Sequence, residues 1–275
     1  MTRLRGAARR RTEELYRRYR RHRDYRFILY ASPRTCSTSL SLALNGYLGI
    51  RCAIEPFSAD SGGNVRDRVC DLPSLKREVA RLWCRYNGLK HIWKPNGFPF
   101  EGQPGLNDYL LTAATDRVVL LNRRNALQRI VSWQIAAQAD VFHVWKDADR
   151  TRLLSHRFQP LDKNVIEKQL INEREAVAAV QGRLDELGRP YKMLWYEDLF
   201  GNGSRERMLN TLGNVIAFIT GRPFQPKLLK KSVLELLDST NPQMKVNSLQ
   251  TYELVPNIRE IEDQLGCDET GYLFR

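Results

Sequence analysis

The sequence predicts an α/β fold in which a parallel central sheet is flanked by helices. Short apolar runs of strand length alternate with longer segments of helical periodicity, the pattern of successive βα units. Two of the runs, 26–32 (RFILYAS) and 116–122 (DRVVLLN), are apolar without interruption in their middles, as strands buried on both faces are. No linker rich in Pro, Gly or Ser divides the chain, so 26–275 reads as one domain behind a basic arm at 1–25.

The elements follow in order. After the strand at 26–32, Leu40, Leu44 and Leu48 recur every fourth residue and define a helix over 38–48. Residues 65–86 are broadly helical, with an interruption near Pro73. A short strand at 89–93 ends in Lys94-Pro95-Asn96-Gly97, a turn signal. The strand at 116–122 leads into a helix over 125–141. A long helix over 163–187 stops at Gly188 and Pro190, before a further strand at 191–195. Ser204 caps a helix over 204–219 that closes at Gly221-Arg222-Pro223. Beyond 220 the pattern is irregular, with short helices.

With 275 residues, 42% of them hydrophobic, the chain can bury a sizeable core. No apolar stretch reaches the roughly 18–20 residues of a membrane helix. The opening Met1-Thr2-Arg3-Leu4-Arg5 lacks the apolar run of a secretory signal. The expectation is a soluble, cytoplasmic protein with no transmembrane segment. Five cysteines (Cys36, Cys52, Cys70, Cys84, Cys267) form no CxxC pair, and four histidines form no HxxxH or HExxH pattern. Neither a disulfide framework nor a metal site is expected. The net charge of +13 is uneven: residues 1–26 hold eleven arginines against three acidic side chains, more than half of the total. Such an arm attracts polyanions or simply raises solubility. The solvated reading is preferred, and no nucleic-acid partner is expected.

Ser32-Pro33-Arg34-Thr35-Cys36-Ser37-Thr38-Ser39 lies between the first strand and the first helix. A turn there presents backbone N–H groups without helical partners, and the helix N-terminus adds partial positive charge. Together they make an anion site. Thr35, Ser37, Thr38 and Ser39 add hydroxyl donors, and Arg34 adds a permanent cation with a planar donor fork. The nucleotide-triphosphatase loop GxxxxGK[ST] is absent. At the end of 116–122, Arg124 stands at the strand's carboxyl end, and Ser132 follows about two helical turns later.

Pro-Arg-Thr-x-Ser-Thr after a first strand resembles the 5′-phosphosulfate loop of sulfotransferases that use 3′-phosphoadenosine 5′-phosphosulfate (PAPS). It is closest to the bacterial carbohydrate, trehalose-type branch. The resemblance implies a P-loop-like α/β sheet, the sulfotransferase fold, with PAPS as co-substrate and no metal. It implies donor contacts from Arg34, Thr35, Cys36, Ser37, Thr38 and Ser39, with Cys36 standing where the family usually has glycine. Arg124 with Ser132 is similar to the family's 3′-phosphate motif, with Asn125 and Ala126 in place of the usual acidic residue and proline; Arg123 or Arg129 is a candidate to share the contact. Glu55-Pro56-Phe57 resembles the segment whose glutamate deprotonates the acceptor, a role worth ~10²–10⁴-fold. Gly88-Leu89-Lys90-His91-Ile92-Trp93 is similar to a strand of the same branch, and His91 is a candidate second base or acceptor contact. Tyr196-Glu197-Asp198-Leu199 matches a recurrent segment read here as structural.

The expected activity is sulfuryl transfer to a hydroxyl of a carbohydrate, glycolipid or small natural product. Residues 220–275 would form an acceptor-side cap, and the oligomeric state stays open, a homodimer included. Two other readings stand beside it: a P-loop kinase-like phosphotransferase, and a non-catalytic nucleic-acid binder using the arginine arm.

Overall fold

The computed structural model describes residues 25–58, 65–142, 144, 146–200, 204–236 and 249–274. The basic arm expected at 1–25 lies outside them except for Tyr25. Five strands form one all-parallel sheet: β1 (Phe27–Ala31), β2 (Cys52–Ile54), β3 (Gly88–Ile92), β4 (Arg117–Asn122) and β5 (Tyr191–Trp195). Their order across the sheet is β2-β3-β1-β4-β5. All five residues of β1 are buried, which explains its unbroken apolar run at the centre of the sheet.

Helices cover both faces. Phe27, Leu29 and Ala31 of β1 pack with Leu40 and Leu44 of α1 (Ser37–Asn45). The intervening Ile28 and Tyr30 point the other way, into a layer with Leu75 and Val79 of α2 (Leu72–Trp83) and Leu106 and Leu110 of α3 (Pro104–Thr112). Pro73 lies in the first turn of α2, where a missing N–H costs nothing, so the expected interruption is the helix start itself. After β4 come α4 (Ala126–Ala139), α5 (Asp147–Ser155) and α6 (Lys163–Glu186). After β5 come α7 (Tyr196–Phe200) and α8 (Arg205–Thr220), which joins α1 on the first face.

The chain leaves β1 towards β2 on one side and leaves β4 towards β5 on the other. A sheet that switches direction between neighbouring strands opens a crevice at their carboxyl ends, where ligands of α/β proteins bind. The described part of 220–275 attaches to the body at two places. Leu229 bridges to Tyr47 beside α1, and α9 (Lys231–Leu236) follows. Then α10 (Leu249–Glu253), α11 (Ile258–Leu265) and the last residues pack on α4 through Tyr252, Val255, Ile261 and Leu273. No helix among the described residues is long and apolar enough to cross a membrane.

Candidate functional site

The carboxyl ends of β1, β2 and β4 lead directly into the segments singled out in the sequence around Arg34, Glu55 and Arg124. The loop after β1 turns through two left-handed residues, Arg34 (φ 62) and Cys36 (φ 57). Such a turn gathers backbone N–H groups on its concave side. Thr35 is fully buried and donates its hydroxyl to the Ser32 carbonyl at 2.8 Å, which braces the turn from within. Cys36 is the N-cap of α1 and supplies no capping side-chain bond. Cys36 thus adopts a conformation that favours glycine. A left-handed β-carbon costs about 1–2 kcal/mol, and a β-branched one costs more. Cys36→Val, close in volume, is expected to lower stability by about 2 kcal/mol, whereas Cys36→Gly stays within about 1 kcal/mol of wild type because relieved strain offsets added chain entropy. Chemical denaturation of both variants checks this.

Arg34 reaches across the crevice. Its Nε donates to Ser132 Oγ at 3.1 Å, and its Nη1 donates to the Phe142 carbonyl. Burial pulls its pKa below the ordinary arginine value, and the nearby charge of Arg123 pulls it further. The first motif and the serine of the second therefore share one wall. Ser132 is itself buried, and a hydroxyl that accepts one bond retains its own O–H to donate.

The arginines after β4 divide. Arg124 is half exposed, and its two terminal nitrogens donate to Asp198 at 3.0 and 3.1 Å. Arg123 is only 15% exposed and lies over the Tyr196 ring at 4.4 Å, with a bond to Gln128. Its Nε also lies 4.0 Å from Glu197 Oε1. Arg129, the other candidate to share the contact, is buried and paired with Glu173 of α6, and burial drops its pKa to about 9. Glu197 accepts the backbone N–H groups of Arg124 and Asn125 at 3.0 and 3.1 Å, which gives the segment after β5 its loop-organising part.

On the other flank Glu55 follows β2 directly, also at positive φ (46). Arg34, Cys36 and Glu55 are three of the four non-glycine residues with positive φ among the described residues, a concentration of backbone strain typical of functional sites. Lys90 of β3 is 1% exposed; its Nζ donates to Glu55 Oε1 and, at 2.7 Å, to Thr38 Oγ1. Burial lowers its pKa while the Glu55 charge opposes the shift. Lys90 is the residue that sequence reading left without a role. It ties the expected base to the anion loop.

His91 is placed elsewhere. It stands beside Tyr30 in register, whereas Lys90 stands beside Leu29, so the two side chains leave opposite faces of the sheet. The His91 ring lies among Tyr30, Phe57 and Phe100, and Nε2 bonds Asn107 Oδ1 at 2.8 Å. Burial depresses its pKa to about 4. This corrects the expectation of a second base: the ring is 2% exposed and occupied by packing. Because the folded value lies below the unfolded one of about 6.5, the unfolded chain binds the extra proton first. Stability is full above pH ~6.5 and falls by up to about 3 kcal/mol as pH drops towards 4. His91→Gln should flatten that pH dependence in denaturation curves and leave ligand binding at the crevice unchanged.

Lys94, read as part of a turn, lies with its ammonium 3.8 Å from the Trp133 ring centre, and Trp133 packs on Phe142 at 5.1 Å. This contact joins the segment after β3 to α4 on either side of β1.

No family model, curated protein or solved structure matches this chain. Between β1 and β4 lie the left-handed turn, Arg34, Arg123, Ser132 and the half-exposed Arg124. Towards β2 lie a carboxylate and the buried lysine that holds it.

Proposed function

We propose that this protein is a sulfotransferase that moves the sulfuryl group of PAPS to an acceptor hydroxyl of a carbohydrate, glycolipid or small natural product. One observation carries the reading: Arg34 of the first motif bonds Ser132 of the second. Two anion sites on one crevice suit a nucleotide with phosphates at both ends, and the 3′-phosphate is what distinguishes PAPS from ATP.

In this mechanism the acceptor oxygen forms a bond to sulfur while the bond from sulfur to the 5′-phosphate oxygen breaks, and the bisphosphate leaves with that electron pair. Negative charge spreads over the transferring group, so positioned cations and N–H donors do most of the work. Arg34 and the amides of 35–38 stabilise the transferring group and the 5′-phosphate, with the hydroxyls of Thr38 and Ser39 alongside. Arg124 and Ser132 hold the 3′-phosphate, with Arg123 beside them. Arg124 exchanges Asp198 for phosphate as the donor binds. Glu55 takes the acceptor's proton, and Lys90 fixes its distance from the loop. Incubation with sulfur-labelled PAPS and a panel of glycosides should yield labelled sulfate esters. Transfer of labelled phosphate from γ-labelled ATP instead would favour the kinase reading and overturn this one.

A further inference from the structure

We infer that the C-terminal turn at 267–273 is the positioning element of the second anion motif, acting through Gly271. This rests on the proposed function only for the identity of the ligand. The start of α4 is gripped from both sides. Glu197 takes the N–H groups of Arg124 and Asn125 from one side. From the other, three carbonyls of the turn accept donors of the motif. Leu127 N–H bonds Thr270 O at 2.9 Å, Asn125 Nδ2 bonds Tyr272 O at 2.6 Å, and Gln128 Nε2 bonds Leu273 O at 3.1 Å. Leu127 N–H belongs to the first helical turn and has no partner within the helix, so the turn supplies what the helix cannot.

The turn is itself built to hold this place. Gly271 and Cys267 exchange backbone bonds of 2.7 and 3.3 Å, and Leu273 N–H is anchored to Glu262 Oε2 of α11 at 2.6 Å. Leu273 is buried in one cluster with Leu127 and Ile130 of α4. Gly271 sits at φ +85, and a β-carbon there would lie 2.4 Å from Asn125 Cγ and 2.8 Å from Asn125 Cα. Both the conformation and the approach require glycine. Any side chain at 271 displaces Asn125, and with it the neighbouring Arg124 and the helix that carries Ser132. The 3′-phosphate contacts move while the loop after β1 stays in place.

The test is the ratio of two affinities, that for 3′-phosphoadenosine 5′-phosphate against that for adenosine 5′-monophosphate, measured by calorimetry on the full chain. Gly271→Ala should weaken the bisphosphate about tenfold or more and leave the monophosphate within about twofold, so the ratio collapses. Asn125→Ser keeps a helix-capping oxygen and drops only the bond to Tyr272; it should lower the ratio in the same direction and serves if Gly271→Ala does not fold. A general loss of stability would weaken both ligands alike. An unchanged ratio in a folded variant overturns the inference. A wild type that binds both nucleotides equally overturns the proposed function instead.

Discussion

Arg34→Met is expected to cut turnover by about 10³-fold or more, the scale set by arginines that stabilise a transferring phosphoryl group and by single donors to a developing oxyanion. The side chain has three tasks at one place: charge at the anion loop, a bond to Ser132, and a bond to the Phe142 carbonyl. Methionine keeps its approximate length and removes all three. Arg34→Lys retains the charge but lacks the planar fork that spans two acceptors, so it should recover only part of the loss. Both variants keep the left-handed backbone demand of position 34 unchanged. Thermal denaturation separates lost function from lost fold. Turnover of Arg34→Met within tenfold of wild type would remove Arg34 from the mechanism.

Glu55→Gln is expected to lower turnover by about 10²–10⁴-fold while affinity for 3′-phosphoadenosine 5′-phosphate stays within about threefold. The split matters because Glu55 also holds Lys90. Removing one partner of a buried ion pair leaves an uncompensated charge and costs about 3–5 kcal/mol, whereas removing both is often close to neutral. Lys90→Met alone should therefore leave Glu55 mobile and impair turnover, and the Lys90→Met/Glu55→Gln double variant should be more stable than Glu55→Gln. If the double variant regains activity together with stability, Glu55 is a structural counter-ion and another group takes the proton.

The parts of this picture legible in the sequence were those written in local pattern. Continuous apolar runs located β1 and β4, and the hydroxyl-rich turn between a strand and a helix located Arg34. Contacts between distant segments were not legible. β2 is three residues long, too short for any periodicity. α5 carries a mixed polar sequence with one buried residue, Leu153, so no apolar face announced it. His91 is the candidate on its strand, and its neighbour Lys90 carries no signal of its own. The alternation of strand side chains allows only one of them to face α1, and register alone decides that it is Lys90. Arg129 looks like a solvent-facing helix charge until Glu173, on α6, is brought against it. The part played by Gly271 depends on Asn125, well over a hundred residues earlier in the chain.

The central claim is that one ligand bridges the loop after β1 and the start of α4. Calorimetric titration of the wild-type chain with 3′-phosphoadenosine 5′-phosphate and with adenosine 5′-monophosphate tests it most directly. Two charge-assisted bonds to a second phosphate, each about 1.5–3 kcal/mol, predict that the bisphosphate binds at least ~100-fold more tightly. They also predict that Arg124→Met and Ser132→Ala each weaken it. Equal affinity for the two nucleotides, unaffected by either substitution, would contradict the account.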